Sequence, residues 1–429
     1  MSEKYGIQSR LIESAAETPV STSTELVFIG SASCKDSSGS TKSSAPYLKA
    51  VRISSLEDYK TTFGSDLTLV QSLSHAAIAA FTYNRLDHAW FINVNDPSSV
   101  KTSVRAVTYD ELAEGIDTLD AVFMGGGAIP NVVCLPLTNL YASGTTHHDG
   151  SGIAEYAAQK SQSIAGHYKA QVVVSSNQDG TAQISPSTNR LVLDEIGAPT
   201  QDEGVLSVLG GGVVGSSLSQ YVGWIDGAAY VAARRVAEDA VNTGGLPYRS
   251  VGNLQCSQFK GVCLYSPDMS NIVLDKYTTN ESDATAVQEL GVVTFLNQGA
   301  NSYYTWGDHT NAVSAAKFDE RGRFDSSIAM LYHISNRFIQ KWKSEIDSPM
   351  TLSLRNDIIA EENSYLSYLV AAGALIGDPI CEFRPVDNTS DTLAQGQFYF
   401  TNIMTTTIPA KYLELKLQYT DAGLSVYTE

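Results

Sequence analysis

VVCLPL (132–137), GIAEYAAQKSQSIAGHY (152–168) and AQVVVSS (170–176) form a strand, helix, strand series in the middle of the chain. A second helix, DGAAYVAARRVAEDA (226–240), follows. Short apolar strands alternating with helices of this length imply parallel βαβ units, because an apolar run buried on both faces needs helices on either side of its sheet. Gly244, Gly245 and Pro247 end the second helix sharply. This places a central parallel α/β domain over 104–314.

On the N-terminal side, ELVFIGSA (25–32) reads as a buried strand. A strand near Val51–Ile53, a helix opened by the capping pattern SSLED (54–58), a helix near Leu67–Tyr83 and the strand AWFINV (89–94) follow. These make 23–103 a small α/β unit that can pack with the C-terminal domain. On the C-terminal side, Phe324, Ile328, Leu331, Phe338 and Trp342 recur at helical spacing, as do Ile358, Ile359, Tyr365, Leu366, Leu369 and Val370. With ICEFRPV (380–386) and GQFYFTNI (396–403) as strands, 315–407 becomes an α+β domain.

The two ends read as arms, 1–22 and 408–429. In KYLELKLQYT (411–420), Leu413, Leu415, Leu417 and Tyr419 alternate with Glu414, Lys416 and Gln418, the period of a strand with one buried face. Such a strand either edges its own domain or joins a neighbour's sheet, where main-chain hydrogen bonds give affinity and leucine pockets give specificity. YGIQSRLIES (5–14) carries a weaker pattern through Tyr5, Ile7 and Leu11. Residues 13–24 and 403–411 are rich in Ser, Thr and Pro and are the expected hinges.

The composition narrows function. In 429 residues, 28 Lys and Arg stand against 46 Asp and Glu, a net charge of −18, which leaves no broad cationic surface for a phosphate backbone. Charged residues are 17% of the chain, so much of the surface is neutral polar, with little to desolvate when copies pack. Cys34, Cys134, Cys256, Cys263 and Cys381 are scattered, without zinc or disulfide spacing. The N-terminus has no secretory pattern, and the charge-free spans 121–146 and 204–225 lack the continuous apolar run of a membrane helix.

Candidate chemistry is weak throughout. Gly210, Gly212 and Gly215 satisfy GxGxxG, but SSLSQYVGW (216–224) is no convincing helix and no acid follows at the ribose position, so a loop between packed elements is expected. Gly125–Gly127 has no phosphate-loop lysine after it. His147, His148 and Asp149 fall in a polar loop, where adjacent histidines point apart. Glu361 and Glu362 are expected on the wet face of a helix, since neighbours there do not face one another. No GxSxG elbow marks a hydrolase. No catalytic residue, metal site or cofactor is assigned.

The runs ELGVVTFLNQGANSYYTWGDHT (289–310), KWKSEIDSPMTLSLRNDI (341–358), NSYLSYLVAAGALIG (363–377) and NTSDTLAQGQFYF (388–400), with the Pro409-led terminal strand, resemble the contractile tail sheath proteins of bacteriophages and of related bacteriocin and injection particles. ELVFIGSA, LEDYKTTFG (56–64), DGAAYVAARRVAED and SVGNL (250–254) match the same family in the same order. The resemblance implies a central domain of subtilisin-like topology without the protease residues. It also implies extended N- and C-terminal β-arms exchanged between subunits, and a helical homopolymer that sleeves an inner tail tube protein and contracts to drive it through an envelope.

The implied partners are further copies of the chain, the tube protein, and baseplate and tail-terminator proteins, with no direct nucleic acid and no membrane insertion. The implied location is a virion tail or released particle assembled in the bacterial cytoplasm. The interface residues expected are Tyr5, Ile7, Leu11, Leu413, Leu415, Leu417 and Tyr419. Lys317, Arg321, Arg323, Lys341 and Lys343, a basic concentration in an acidic chain, are the expected tube contacts. The alternatives are a static self-assembling shell, and an α/β hydrolase or nucleotide enzyme built on the central domain.

Overall fold

The structure, a computed structural model, describes residues 24–67, 70–143, 150–176, 196–214, 223–264, 273–274, 281–299, 302–315 and 320–427. Strands β1 (Glu25–Gly30), β2 (Ala50–Ile53) and β3 (Ala89–Asn93) come first, with helices α1 (Leu56–Phe63) and α2 (Ser72–Ala77) between β2 and β3. Helices α3 (Tyr109–Asp117) and α4 (Asp120–Gly126), strand β4 (Pro130–Leu135), helix α5 (Gly150–Ser161), and strands β5 (Gln171–Ser175) and β6 (Val205–Val208) follow. After them come β7 (Gly211–Val213), β8 (Trp224–Asp226), α6 (Gly227–Asn242), β9 (Gly261–Leu264), β10 (Val273–Leu274), α7 (Glu281–Glu289), β11 (Val292–Asn297) and β12 (Tyr303–Trp306).

Eight of these strands form one sheet in the order β12-β11-β6-β5-β4-β1-β3-β2. The six inner strands run parallel, and β2 and β12 pair antiparallel at the two edges. The sheet therefore runs across the boundary expected at residue 103. β1 pairs with β3 on one side and β4 on the other, so 23–103 is not a unit apart from 104–314. The reason is visible in ELVFIG. Leu26 and Phe28 join the core under α6, with Ala228 and Ala232, while Val27 and Ile29 join the opposite core under α3 and α5, with Leu112 and Ile153. A strand apolar on both faces belongs in the middle of a covered sheet.

The glycine run expected as a loop is partly strand. Gly211–Val213 is β7, in a four-stranded sheet ordered β10-β9-β7-β8. A Cβ on Gly211 would lie 2.2 Å from the Ile225 carbonyl oxygen, and one on Gly212 would lie 2.2 Å from the Phe259 ring, so these glycines serve close packing and not a phosphate. Gly215 lies outside the described residues. Asp226 caps α6 by accepting from the Ala229 N–H at 3.1 Å, and Gly244 and Gly245 end it at φ of 64° and 90°.

The C-terminal unit contains the two long helices α8 (Asp325–Trp342) and α9 (Leu352–Ala371), and the antiparallel pair β13 (Leu375–Glu382) and β14 (Thr401–Thr406). Its core joins Met330 and Ile334 of α8 to Leu366 and Leu369 of α9, and to Leu375 and Cys381 of β13. It is seated on the sheet by Asn336, whose side chain bonds both the N–H and the C=O of Lys169, at 2.8 and 2.7 Å. No described helix is long and apolar enough to cross a membrane.

Candidate assembly surfaces

A few residues beyond β14 the chain runs out over the surface. Residues 411–420 lie in no strand, and every position from Lys411 to Thr420 is exposed. Leu413, Leu415, Leu417 and Tyr419 are 80 to 87% accessible. The strand of its own domain that the period-two pattern allowed is therefore not formed within the chain. What the structure presents is an alternating apolar row that no described residue covers. Tyr5, Ile7, Leu11 and the first expected hinge up to residue 23 lie outside the described residues. The second expected hinge, 403–411, is too broad, because Ile403–Thr406 belong to β14.

The sheet beside the arm is short of strands. β13 and β14 pair only with each other among the described residues, and Ile376, Ile380 and Ile403 are exposed on them. A two-stranded sheet is marginal alone and has two open edges. β13 is interrupted between Ile376 and Ile380, where Pro379 can donate no ladder hydrogen bond. β14 is the regular edge. A groove of about 620 Å³ runs beside it, lined by Arg321, Phe324, Leu331, Met404, Thr405 and Ile408.

The expected basic cluster does not stay together. Arg321 and Arg323 lie just before α8, and Arg323 pairs with Glu320 at 2.8 Å. Lys341 is in the last turn of the 18-residue helix, 3.1 Å from Glu361, and Lys343 follows it. A helix of that length holds its ends about 27 Å apart. Lys317 lies outside the described residues.

Glu362, expected on a wet face, is buried. It pairs with Arg337 and accepts from the Trp342 indole N–H at 2.8 Å. Arg337 also stacks 3.9 Å over the Tyr365 ring. Glu361 stays at the surface, where the Lys341 hydrogen bond and charge lower its pKa. Sequence reasoning missed the Arg337–Glu362 pair because the partners come from different helices.

Among the described residues, a Ser, Asp and His constellation that could serve a hydrolase fails on geometry. Ser175, at the end of β5, donates to both carboxylate oxygens of Asp226, at 2.9 and 3.0 Å. His75 Nδ1 accepts from the Asp226 backbone N–H at 3.2 Å. All three side chains are buried, so the serine proton is directed to a carboxylate that also caps a helix, and no substrate reaches it. Among the described residues no group of three or more His, Cys, Asp or Glu could hold a metal ion. His147, His148 and Asp149 are outside them.

Another buried charge group joins the body to the C-terminal unit. Arg235 of α6 pairs with Asp325 at the start of α8 and lies 3.7 Å from Asp239. Burial pushes both carboxyls up, Asp239 to about 7 and Asp325 to about 6, against the pull of Arg235.

No protein-family model matches the chain, and no curated protein matches it in sequence. Solved structures do. A chain of the anti-feeding prophage baseplate matches at 14% identity with a TM-score of 0.61, over 98% of this chain and 100% of that one. The sheath complex of an extracellular contractile injection system, in the contracted state, matches at 12% identity with a TM-score of 0.62, over 98% and 100%. The sheath tail protein of Listeria innocua matches at 10% identity with a TM-score of 0.53, over 91% and 96%. With an α/β sheet, a C-terminal β-hairpin unit and agreement along nearly the whole length of each, the chain has the fold of the contractile tail sheath proteins.

Proposed function

We propose that the chain is the structural subunit of a contractile sheath, a homopolymer that sleeves an inner tube protein and contracts to drive it through an envelope. The observation that carries this is the apolar row Leu413, Leu415, Leu417 and Tyr419, at strand spacing and exposed among the described residues, on a sheath-like fold. The arm adds to a neighbour's β13–β14 sheet, along the regular edge of β14, and its leucines enter the groove beside that edge. Exchange of this kind keeps the subunits connected while their bodies rotate, which a bistable lattice of rigid bodies requires. Reading the large sheet as subtilisin-like is supported by its order, with β3 and β2 beyond β1 on one side and β4, β5 and β6 on the other.

The N-terminal arm with Tyr5, Ile7 and Leu11 makes a second exchanged strand. The tube is gripped through polar, salt-sensitive contacts at one end of α8, either by Arg321 and Arg323 with Lys317 or by Lys341 and Lys343. Baseplate and terminator proteins cap the polymer, which forms in the bacterial cytoplasm and works in a virion tail or a released particle. The arm is tested by ending the chain after Lys411 and sedimenting it. The shortened chain stays folded and monomeric under conditions where the full chain pellets as polymer. Pelleting of both chains contradicts the arm.

A further inference from the structure

Between β14 and the exposed arm, residues 407–411 hold to the body of their own chain. Thr407 donates its N–H to the Ala374 carbonyl at 3.2 Å and its hydroxyl to the Gly373 carbonyl at 2.6 Å. Four residues on, Lys411 Nζ pairs with the carboxylate of Asp308 and lies 5.8 Å from the centre of the Phe324 ring. Asp308 is buried just past the edge strand β12, and its Oδ2 accepts from the Ser250 hydroxyl at 2.6 Å. From Tyr412 onward the chain is exposed at every position to Thr420.

We propose that Lys411 and Asp308 form a latch that fixes where the arm leaves the body, so that the arm pivots after Lys411. The inference rests on the arm-donating reading and adds the point from which the arm swings. A carboxylate with almost no access to water is held more strongly by a cation than a surface one is, and leaving it without one is costly. Asp308 also stands in a row of buried charge. Its carbonyl accepts from the Asp325 N–H at 3.0 Å, Asp325 pairs with Arg235, and Arg235 lies beside Asp239. Lifting Lys411 away takes from Asp308 the cation it pairs with, beside the buried carboxylates of Asp325 and Asp239.

Phe324, next to Asp325, supplies a ring face for the ammonium. The lysine stem lets Nζ reach the buried oxygen while the backbone stays at the surface. A neighbour pulling on the arm thus pulls on the edge of the large sheet and on the start of α8, with no slack linker between.

Trypsin reports the latch, since Lys411 and Lys416 lie in the same exposed segment. In the soluble full-length chain, cleavage after Lys411 is slowed relative to cleavage after Lys416, and Asp308→Asn raises that ratio about fivefold by freeing the side chain. Lys411→Arg, which keeps a cation that trypsin accepts, leaves the ratio low. A ratio unchanged by Asp308→Asn overturns the latch. Reductive methylation of the wild-type chain gives the same answer without relying on the folding of that variant: Lys411 is modified more slowly than Lys416, and equal rates overturn the latch. Neither readout involves polymer, so a failed latch is distinguishable from a failed sheath, which shows in electron micrographs.

Discussion

Trp342, at the end of α8, donates its indole N–H to Glu362 Oε1 at 2.8 Å, so the two long helices of the C-terminal unit are pinned through a carboxylate that water does not reach. Arg337 supplies the opposing charge. Glu362→Ala leaves that guanidinium and the indole N–H without their main partner and costs about 3 kcal/mol in chemical denaturation. Glu361→Ala, one residue away at the surface, costs far less, because water screens its pairing. Equal costs mean that the carboxylate does not hold the helices.

The Arg235 group makes stability depend on pH in an identifiable direction. Asp239 and Asp325 titrate near 7 and 6 when folded, above the ordinary value of 3.8. Between about pH 4 and 7 the folded state therefore binds more protons than the unfolded state, and stability falls as pH rises through that window. Asp239→Asn removes one such group. Measured by denaturation from pH 5 to 8, the wild type loses stability relative to the variant, with a slope approaching about 1.4 kcal/mol per pH unit. Parallel curves contradict the assignment.

Gly211→Ala and Gly212→Ala each force a Cβ to within 2.2 Å of existing atoms and destabilise by about 1–3 kcal/mol or more. Gly125→Ala, in α4 with nothing within 4 Å of its Cβ, is neutral or stabilising by about 0.5–1 kcal/mol. Thermal unfolding of the three variants checks this ordering.

The elements that could be read in the sequence are those whose signal is local. The strands ELVFIG and AWFIN, and α6 with its two closing glycines, fall where spacing puts them. What was missed depends on partners distant in sequence. The place of β1 between β3 and β4 is a matter of sheet order, which a double-faced apolar run leaves open. Glu362 reads as wet because Arg337 is on another helix, and β7 reads as loop because glycines carry no side-chain pattern. Lys416 and Lys411 look alike in sequence, and the contact with Asp308 sets them apart.

The alternation of the arm separates assembly from folding. Leu415→Asp and Leu417→Asp abolish polymerisation, because burying an unpaired carboxylate in a neighbour's groove costs several kcal/mol. Lys416→Asp, on the other face, is tolerated. Since all three side chains are exposed in the free subunit, none of the variants shifts its thermal unfolding. Sedimentation and a melting curve on each variant check both statements, and equal losses at all three positions contradict the period-two arm.

Electron microscopy of the purified full-length chain tests the central claim most directly. The sheath reading predicts hollow helical tubes of uniform diameter, with density for residues 411–420 running from one subunit onto the β14 edge of another. Polymers in which that segment folds back on its own subunit, or particles that stay monomeric at every concentration and ionic strength, contradict it.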